Sequence, residues 1–169
     1  EMGRGRRIGQ WQQLDPPFPS ERYDTREEKG PRHVARVFRG EGLHKVDGKG
    51  RVSIPALFRR VLEAGDPEFK EGLNPNLVIV YGDHRRQYLE CFTMEAIAEV
   101  DARISRMQRG SIERRMLERL FNGQSFPTSV DETGRLVLPA KLRQKIGIDA
   151  EAYFIATGDT FQIWNPQTF

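Results

Sequence analysis

From residue 37 onward, apolar and polar residues follow a regular order that the first 36 residues lack. Short alternating or continuous apolar runs predict β-strands, and the segments after "VDGKGRVSIPA" and "VDETGRLVLPA" change to the period of an amphipathic helix. Two further strands follow in each half, "NLVIVYG" with "QYLECF" and "AYFIATG" with "TFQIWNP". The pattern therefore predicts the order strand, turn, strand, helix, strand, strand, written twice.

The two halves are copies of one another. Val46 to Leu62 matches Val130 to Ile146 without gaps at a shift of 84 residues, with seven identities in seventeen positions: Val, Asp, Gly, Arg, Pro, Ala and a later Arg. Self-similarity of this kind indicates an internal duplication. Because there are only two copies, a pseudo-twofold domain is favoured over a solenoid.

Each copy contains the residues of a tight hairpin turn. Asp47 and Asp131 are placed to accept local backbone N–H groups, which opens a turn. Gly50 and Gly134, three residues later, can adopt the positive φ that closes it. We therefore predict that these four residues form the turns.

In the strand after each turn, alternation predicts which side chains face the core and which face solvent. Alternation places Val52 and its counterpart Leu136 on the inner face, and it directs Arg51 and Arg135 outward at the hairpin tip. Pro55 and Pro139 then fit the first turn of a helix, where a missing N–H costs nothing.

Between the copies, Thr93 to Gly123 predicts two helices broken near Gly110, with Thr93 and Ser111 as N-caps. Six arginines interleave with acidic residues in this insert: Arg103, Arg106, Arg109, Arg114, Arg115 and Arg119. A solvated face laced with ion pairs or a subunit contact is favoured over DNA contact.

Composition and charge limit the function classes. With 37% hydrophobic and 30% charged residues, the 169-residue chain has the mixture of a soluble globular protein, and we expect it in the cytoplasm. The formal charge is +3, of which residues 1–36 hold 8 basic against 6 acidic residues and the remainder 19 against 18. Nucleic acid binding would therefore need a local basic patch. Cys91, the single cysteine, lies in an apolar run and is expected to be buried.

Candidate catalytic groups do not converge in the sequence. His33, His44 and His84 share no metal-ligand spacing, and the pairing of His44 with Asp47 is lost in the second copy, where Thr128 replaces the histidine. We expect no catalytic residue, no metal site and no cofactor. The repeated arginine stays open to two interpretations: an ion pair with the turn aspartate, or a planar donor for phosphate or guanine.

The segments "FRGEGLHKVDGKGRVSIPALFR" and "VDETGRLVLPAKLR" resemble the MraZ family of bacterial DNA-binding regulators of the division and cell wall gene cluster. That family belongs to the AbrB-like class. The resemblance implies an α+β fold, a pseudo-twofold AbrB-like β-barrel built from two tandem β-turn-β-α-β-β repeats with a two-helix insert. It also implies ring homo-oligomers that bind tandem promoter repeats of double-stranded DNA, generally as repressors and associated with the nucleoid, through the hairpins of Asp47 with Arg51 and Asp131 with Arg135.

The two hairpins differ in charge. In the first, Lys45, Lys49 and Arg51 stand against Asp47, a net of +2. In the second, Arg135 stands against two acids, a net of −1. Phosphates should prefer the first hairpin.

We therefore expect Arg39, Lys49 and Arg51 to form the principal DNA contact, with Lys45 beside them. Arg135 is either a secondary contact or part of a copy that serves mainly as scaffold and ring interface.

The predicted organisation is a disordered N-terminal extension over 1–36, a first repeat over 37–92, a helical insert over 93–123 and a second repeat over 124–169. The family begins Met-Phe-x-Gly, which matches Val37 to Gly40 here, and valine is what an internally read GTG start codon encodes. We expect Val37 to mark the biological start. The alternatives that remain are an AbrB-like antitoxin or other interaction module and, more remotely, a hydrolase.

Overall fold

Strands and helices alternate along residues 36–169, the part of the chain that the computed structural model describes. The elements in chain order are β1 Glu41–Lys45, β2 Arg51–Ser53, α1 Ala56–Ala64, β3 Asn76–Val80, β4 Tyr88–Thr93, α2 Met94–Ser105, α3 Ile112–Glu118, β5 Ser125–Ser129, β6 Arg135–Val137, α4 Ala140–Ile146, β7 Glu151–Thr157 and β8 Thr160–Trp164. The predicted order strand, turn, strand, helix, strand, strand occurs twice. The extension predicted to be disordered lies outside the described residues except for Arg36.

The strands form two antiparallel sheets, so the fold is mixed α+β. The larger sheet has the order β1-β7-β8-β4-β3-β5, and β2 pairs with β6 in a separate two-stranded sheet. Neither of these sheets closes on itself, since β1 and β5 remain as the edges of the larger one.

The halves of the larger sheet exchange strands. β1 of the first half pairs with β7 of the second, and β5 of the second pairs with β3 of the first. The second halves of the two copies meet in the middle, where β4 pairs with β8. Each strand of the first copy has a counterpart in the second: β1 corresponds to β5, β3 to β7 and β4 to β8. Counterparts lie at equal distances from the two edges of the larger sheet, so the two copies occupy equivalent positions in it.

The main core lies between the inner face of the larger sheet, the two-stranded sheet and helices α1 and α4. Leu77 and Phe154 of the larger sheet, Val52 and Leu136 of the smaller sheet and Phe58 of α1 belong to one buried cluster. Because each amphipathic element hides one apolar face here, the opposite faces of β2 and β6 point to solvent.

The insert covers the other face of the larger sheet. Val78 and Phe92 pack against Ala96 and Ile97 of α2 in a second buried cluster. The predicted cap at Thr93 is present, where its Oγ1 accepts the N–H of Ala96 at 3.0 Å.

The rest of the insert is less regular than predicted. Ser111 caps α3 by accepting the N–H of Arg114 at 3.3 Å, as predicted. α3 ends at Glu118 and the helical segment continues as a π-helical turn over Arg119–Gly123, so it ends at Gly123 as predicted, but its last turn is not an α-helix. No residue of α3 is buried.

The two prolines lie one position earlier than predicted. Pro55 and Pro139 occupy the N-cap positions of α1 and α4, with ψ of 140° and 152°, and not the first helical turn. Their fixed φ of −56° still directs the chain from the strand into the helix. The predicted burial of Cys91 is confirmed, and burial raises the pKa of its thiol well above the ordinary value. Within residues 36–169, no helix has the length and apolar character needed to cross a bilayer.

Candidate nucleic-acid interface

The first hairpin turn is organised by the carboxylate of Asp47. Its Oδ1 accepts the backbone N–H groups of Lys49 and Arg51, each at 2.9 Å, and its Oδ2 accepts Nε of Arg51 at 2.6 Å. These hydrogen bonds to the ionised form, that of the Arg51 N–H foremost, lower the pKa of Asp47. Gly50 closes the turn with φ of +81° and donates its N–H to the Asp47 carbonyl.

The second turn has the same backbone and a different side-chain network. Asp131 accepts the N–H groups of Thr133 and Arg135 at 2.9 Å each, and Gly134 has φ of +79°. The hydroxyl of Thr133 donates to Asp131 at 2.7 Å and accepts Nε of Arg135 at 2.9 Å. The carboxylate and guanidinium are consequently further apart than in the first turn, at 3.5 Å. The Arg135 N–H is the foremost of the hydrogen bonds that lower the pKa of Asp131.

The strands after the two turns, β2 and β6, form a two-stranded ribbon. Arg51 lies opposite Val137, and Ser53 lies opposite Arg135. The central pair, Val52 with Leu136, points into the core with 1% and 0% exposure. The outer face of the ribbon therefore carries two arginines, a serine and a valine.

Each turn is also locked by the other copy. Ile54 donates its N–H to the Gly134 carbonyl at 3.0 Å, and Leu138 donates to the Gly50 carbonyl at 2.8 Å. The ribbon thus joins the two hairpins into one unit. Arg51 and Arg135 become diagonal neighbours on the ribbon, a relationship in which Cα atoms are about 7 to 8 Å apart.

For the repeated arginine, the sequence left two interpretations open, an ion pair with the turn aspartate or contact with DNA. The ion pair is present between Asp47 and Arg51 in the first turn, but it uses only one nitrogen of the guanidinium. Nε of Arg51 is held by Asp47, while the terminal nitrogens take no hydrogen-bond partner among residues 36–169. The same holds for Arg135, whose Nε is held by Thr133. The two side chains are equally exposed, at 36% and 37%. Each arginine thus presents an oriented pair of N–H donors, which suits phosphate or guanine.

The remaining predicted contact residues are not all brought together. Lys49 is exposed within the first turn, and Lys45 is exposed at the end of β1 that leads into it. Arg39 is exposed before β1 begins, so the whole of Glu41–Lys45 separates it from the turn. At ~3.3 Å per residue that strand alone spans about 13 Å. The structure therefore does not place Arg39 beside Lys49 and Arg51.

Two arginines that were not singled out as site residues brace the turns from the helices. Arg59 of α1 donates a terminal N–H to the Asp131 carbonyl of the second turn. Arg143 of α4 donates Nε to the Leu138 carbonyl at 2.9 Å and lies against Gly50 of the first turn. A signal was available, since Arg59 and Arg143 are the last identity in the alignment of the two copies.

Of the residues considered for catalysis, His44 is half-buried beside an aromatic ring. The ring of His44 packs against that of Phe154 in a tilted arrangement, with centroids 4.9 Å apart, and burial lowers the pKa of His44. Over the described range 36–169, histidine, cysteine and acidic side chains form no group of three or more that could hold a metal ion.

Comparisons with known proteins agree on one family. A family model described as "MraZ protein, putative antitoxin-like" matches residues 121–169. A curated relative from Ruegeria pomeroyi, named Transcriptional regulator MraZ, is 74% identical over 136 residues, which cover 80% of this chain and 81% of the relative. Relatives with the same name from Cereibacter sphaeroides and Rhodospirillum rubrum are 45% and 34% identical over 143 and 135 residues, covering 80% and 79% of this chain and 84% and 82% of theirs.

Proposed function

Because this chain belongs to the MraZ family, we propose that it is a sequence-specific DNA-binding transcriptional regulator and not an enzyme. The observation that carries the proposal is the outer face of the β2–β6 ribbon, where Arg51 and Arg135 are oriented by their turns and keep donors available. The width of a two-stranded ribbon matches the major groove of DNA. Lys45 and Lys49 supply phosphate contacts beside it.

The fold that we propose is the pseudo-twofold AbrB-like barrel, with repeats over 37–92 and 124–169 and the insert over 93–123. The exchange of β1 and β5 between the halves supports this, as does the core shared by the larger sheet and the ribbon. In this arrangement the ribbon covers the open side of the larger sheet.

We further propose a ring homo-oligomer that binds tandem repeats upstream of the division and cell wall gene cluster, generally as a repressor in the cytoplasm and at the nucleoid. Ile112 and Met116 of α3 are 72% and 66% exposed, which supports self-association through the insert. Repetition of one modest contact around a ring raises the overall affinity without any single strong contact.

The direct test is binding of the purified protein to DNA upstream of its own gene, titrated at several salt concentrations. We expect sequence-specific binding with a steep salt dependence. Arg51→Ala should weaken it, whereas Lys70→Ala, which removes an exposed charge from the loop between α1 and β3, should not. Equal weakening by both variants, or no preference over unrelated DNA, would contradict the proposal.

The description "antitoxin-like" of the matching family model favours one second candidate, an interaction module that neutralises a partner protein. Sizing of the purified protein separates the two. A large ring supports the regulator, and a simple dimer supports the antitoxin-like module.

A further inference from the structure

One position on the outer face of the ribbon breaks the equivalence of the two copies. Ser53 and Val137 are counterparts at the 84-residue shift, so a polar residue on one strand corresponds to an apolar residue on the other. Val137 is 45% exposed and is absent from both buried clusters. A single exposed valine is ordinary by itself. Its position directly across from Arg51 makes this one informative.

The register makes Val137 and Arg51 a directly opposite pair. Ile54 bonds to Gly134 and Leu138 bonds to Gly50, so the hydrogen-bonded pairs of this ribbon alternate with the pair of Arg51 and Val137. A non-hydrogen-bonded antiparallel pair has Cα atoms about 4.5 Å apart and side chains side by side. The exposed side chain of Val137 therefore lies on the same face of the ribbon as Arg51 and directly across from it.

The two cross-strand pairs offer different chemistry to a base edge. An arginine donates to O6 and N7 of guanine, and an apolar side chain packs on the C5-methyl group of thymine. The pair of Arg51 with Val137 presents both. The pair of Arg135 with Ser53 presents a second arginine with a hydroxyl, which accepts either kind of base.

Resting on the proposed DNA-binding function, we propose that Val137 is a specificity-determining residue that recognises the 5-methyl group of a thymine adjacent to the guanine bound by Arg51. The ribbon then recognises DNA asymmetrically. Its Arg51 side selects a guanine with a neighbouring thymine, and its Arg135 side selects a guanine without regard to its neighbour.

The test begins with selection of preferred sites from random double-stranded DNA by the full chain. Each thymine of the selected site is then replaced by deoxyuridine, which removes the methyl group and leaves base pairing intact. For the unmodified protein we expect one such replacement, next to an essential guanine, to weaken binding about three- to fivefold, the value of one buried methyl group. For Val137→Ala we expect thymine and deoxyuridine sites to bind equally.

Val137→Ile should keep the preference for the methyl group, which guards against a general effect of disturbing the strand. Leu73→Ala, which truncates another exposed apolar residue, should keep it as well, and thermal unfolding checks that every variant is folded. If selection yields no preferred site, the proposed function fails. If a site is selected but deoxyuridine has no effect, or if the effect persists in Val137→Ala, the role of Val137 is overturned while DNA binding stands.

Discussion

The two hairpin turns have nearly the same backbone and differ in how closely the rest of the chain packs on them. A methyl group added at Gly50 would overlap the Leu138 carbonyl oxygen and come within 2.9 Å of Nε of Arg143. The same group at Gly134 would meet no atom within 4 Å. Both turns accept hydrogen bonds from the other copy, but the second copy clamps the first turn at its glycine, whereas the space beside the glycine of the second turn is empty.

The arginines that brace the two turns also have different partners. Arg59 has Glu63 four residues on, and their ion pair at 3.1 Å directs the guanidinium toward Asp131. The position four residues after Arg143 is Gly147, which offers no carboxylate, and Arg143 lies against Gly50 instead. The two turns thus keep the same backbone hydrogen bonds, while the arginine that contacts each turn from a helix does so in a different way.

The largest effect that tests this comparison is on stability. Gly134→Ala should cost about 1 to 2 kcal/mol of unfolding free energy, because alanine disfavours the left-handed region. Gly50→Ala should cost more, by a further ~1 to 3 kcal/mol, since the methyl group also overpacks the contact with Leu138 and Arg143. Urea denaturation of the two variants measures the difference, and equal losses would refute the clamped first turn.

The next effect is on DNA affinity. Arg51→Ala should lose about 1 to 3 kcal/mol of specific binding. We expect Arg135→Ala to lose less, because the second hairpin carries a net charge of −1 against +2 for the first. The two arginines are equally exposed, so a difference would come from charge and not from access. Equal losses in a titration at fixed salt would show that both copies contact DNA alike.

A smaller effect concerns the exposed residues at the tips, Lys49 and its counterpart Thr133. Lys49→Thr should lower the slope of log affinity against log salt by about 1, the loss of one phosphate contact. Lys70→Thr, an exposed lysine in a loop, serves as the control and should leave the slope unchanged. A slope that is unaffected by Lys49→Thr would remove this residue from the interface.

The smallest effect is the acid dependence of the turns. Folding lowers the pKa of Asp47 and Asp131, so their ionised forms stabilise the fold above the unfolded value of ~3.9 and lose that contribution as the pH falls below it. Asp47→Asn should therefore destabilise the protein at pH 7 and progressively less below pH ~4. Denaturation at both pH values checks this, and a deficit independent of pH would indicate a packing effect instead.

The strands and the turns were predictable because their signals are local. Alternation located β2 and β6, and apolar runs located β3 and β4. The spacing of Asp47 and Gly50 gave the turn geometry that is observed. The repeated arginine left DNA contact and an ion pair as two open interpretations, and the family resemblance favoured DNA contact.

What was missed depends on residues far apart in the chain. The bracing of Asp131 by Arg59 spans 72 residues, and although the identity of Arg59 with Arg143 marks the position, it does not indicate the partner. The exchange of β1 and β5 between halves likewise follows from long-range pairing. The separation of Arg39 from the turn follows from the length of β1, which lies between them.

The exchange of strands has a consequence for how the protein comes apart. Of the six strand pairings within residues 36–169, four join the first half to the second: β1 with β7, β2 with β6, β3 with β5, and β4 with β8. Neither half can complete its hydrogen bonding or bury its core alone. A chain nicked at the exposed Gly110 loop should therefore hold together as two interlocked fragments, and the fragments made separately should be unfolded until mixed. The covalent link between the copies fixes their one-to-one ratio, whereas the strand pairing between them holds the two halves together.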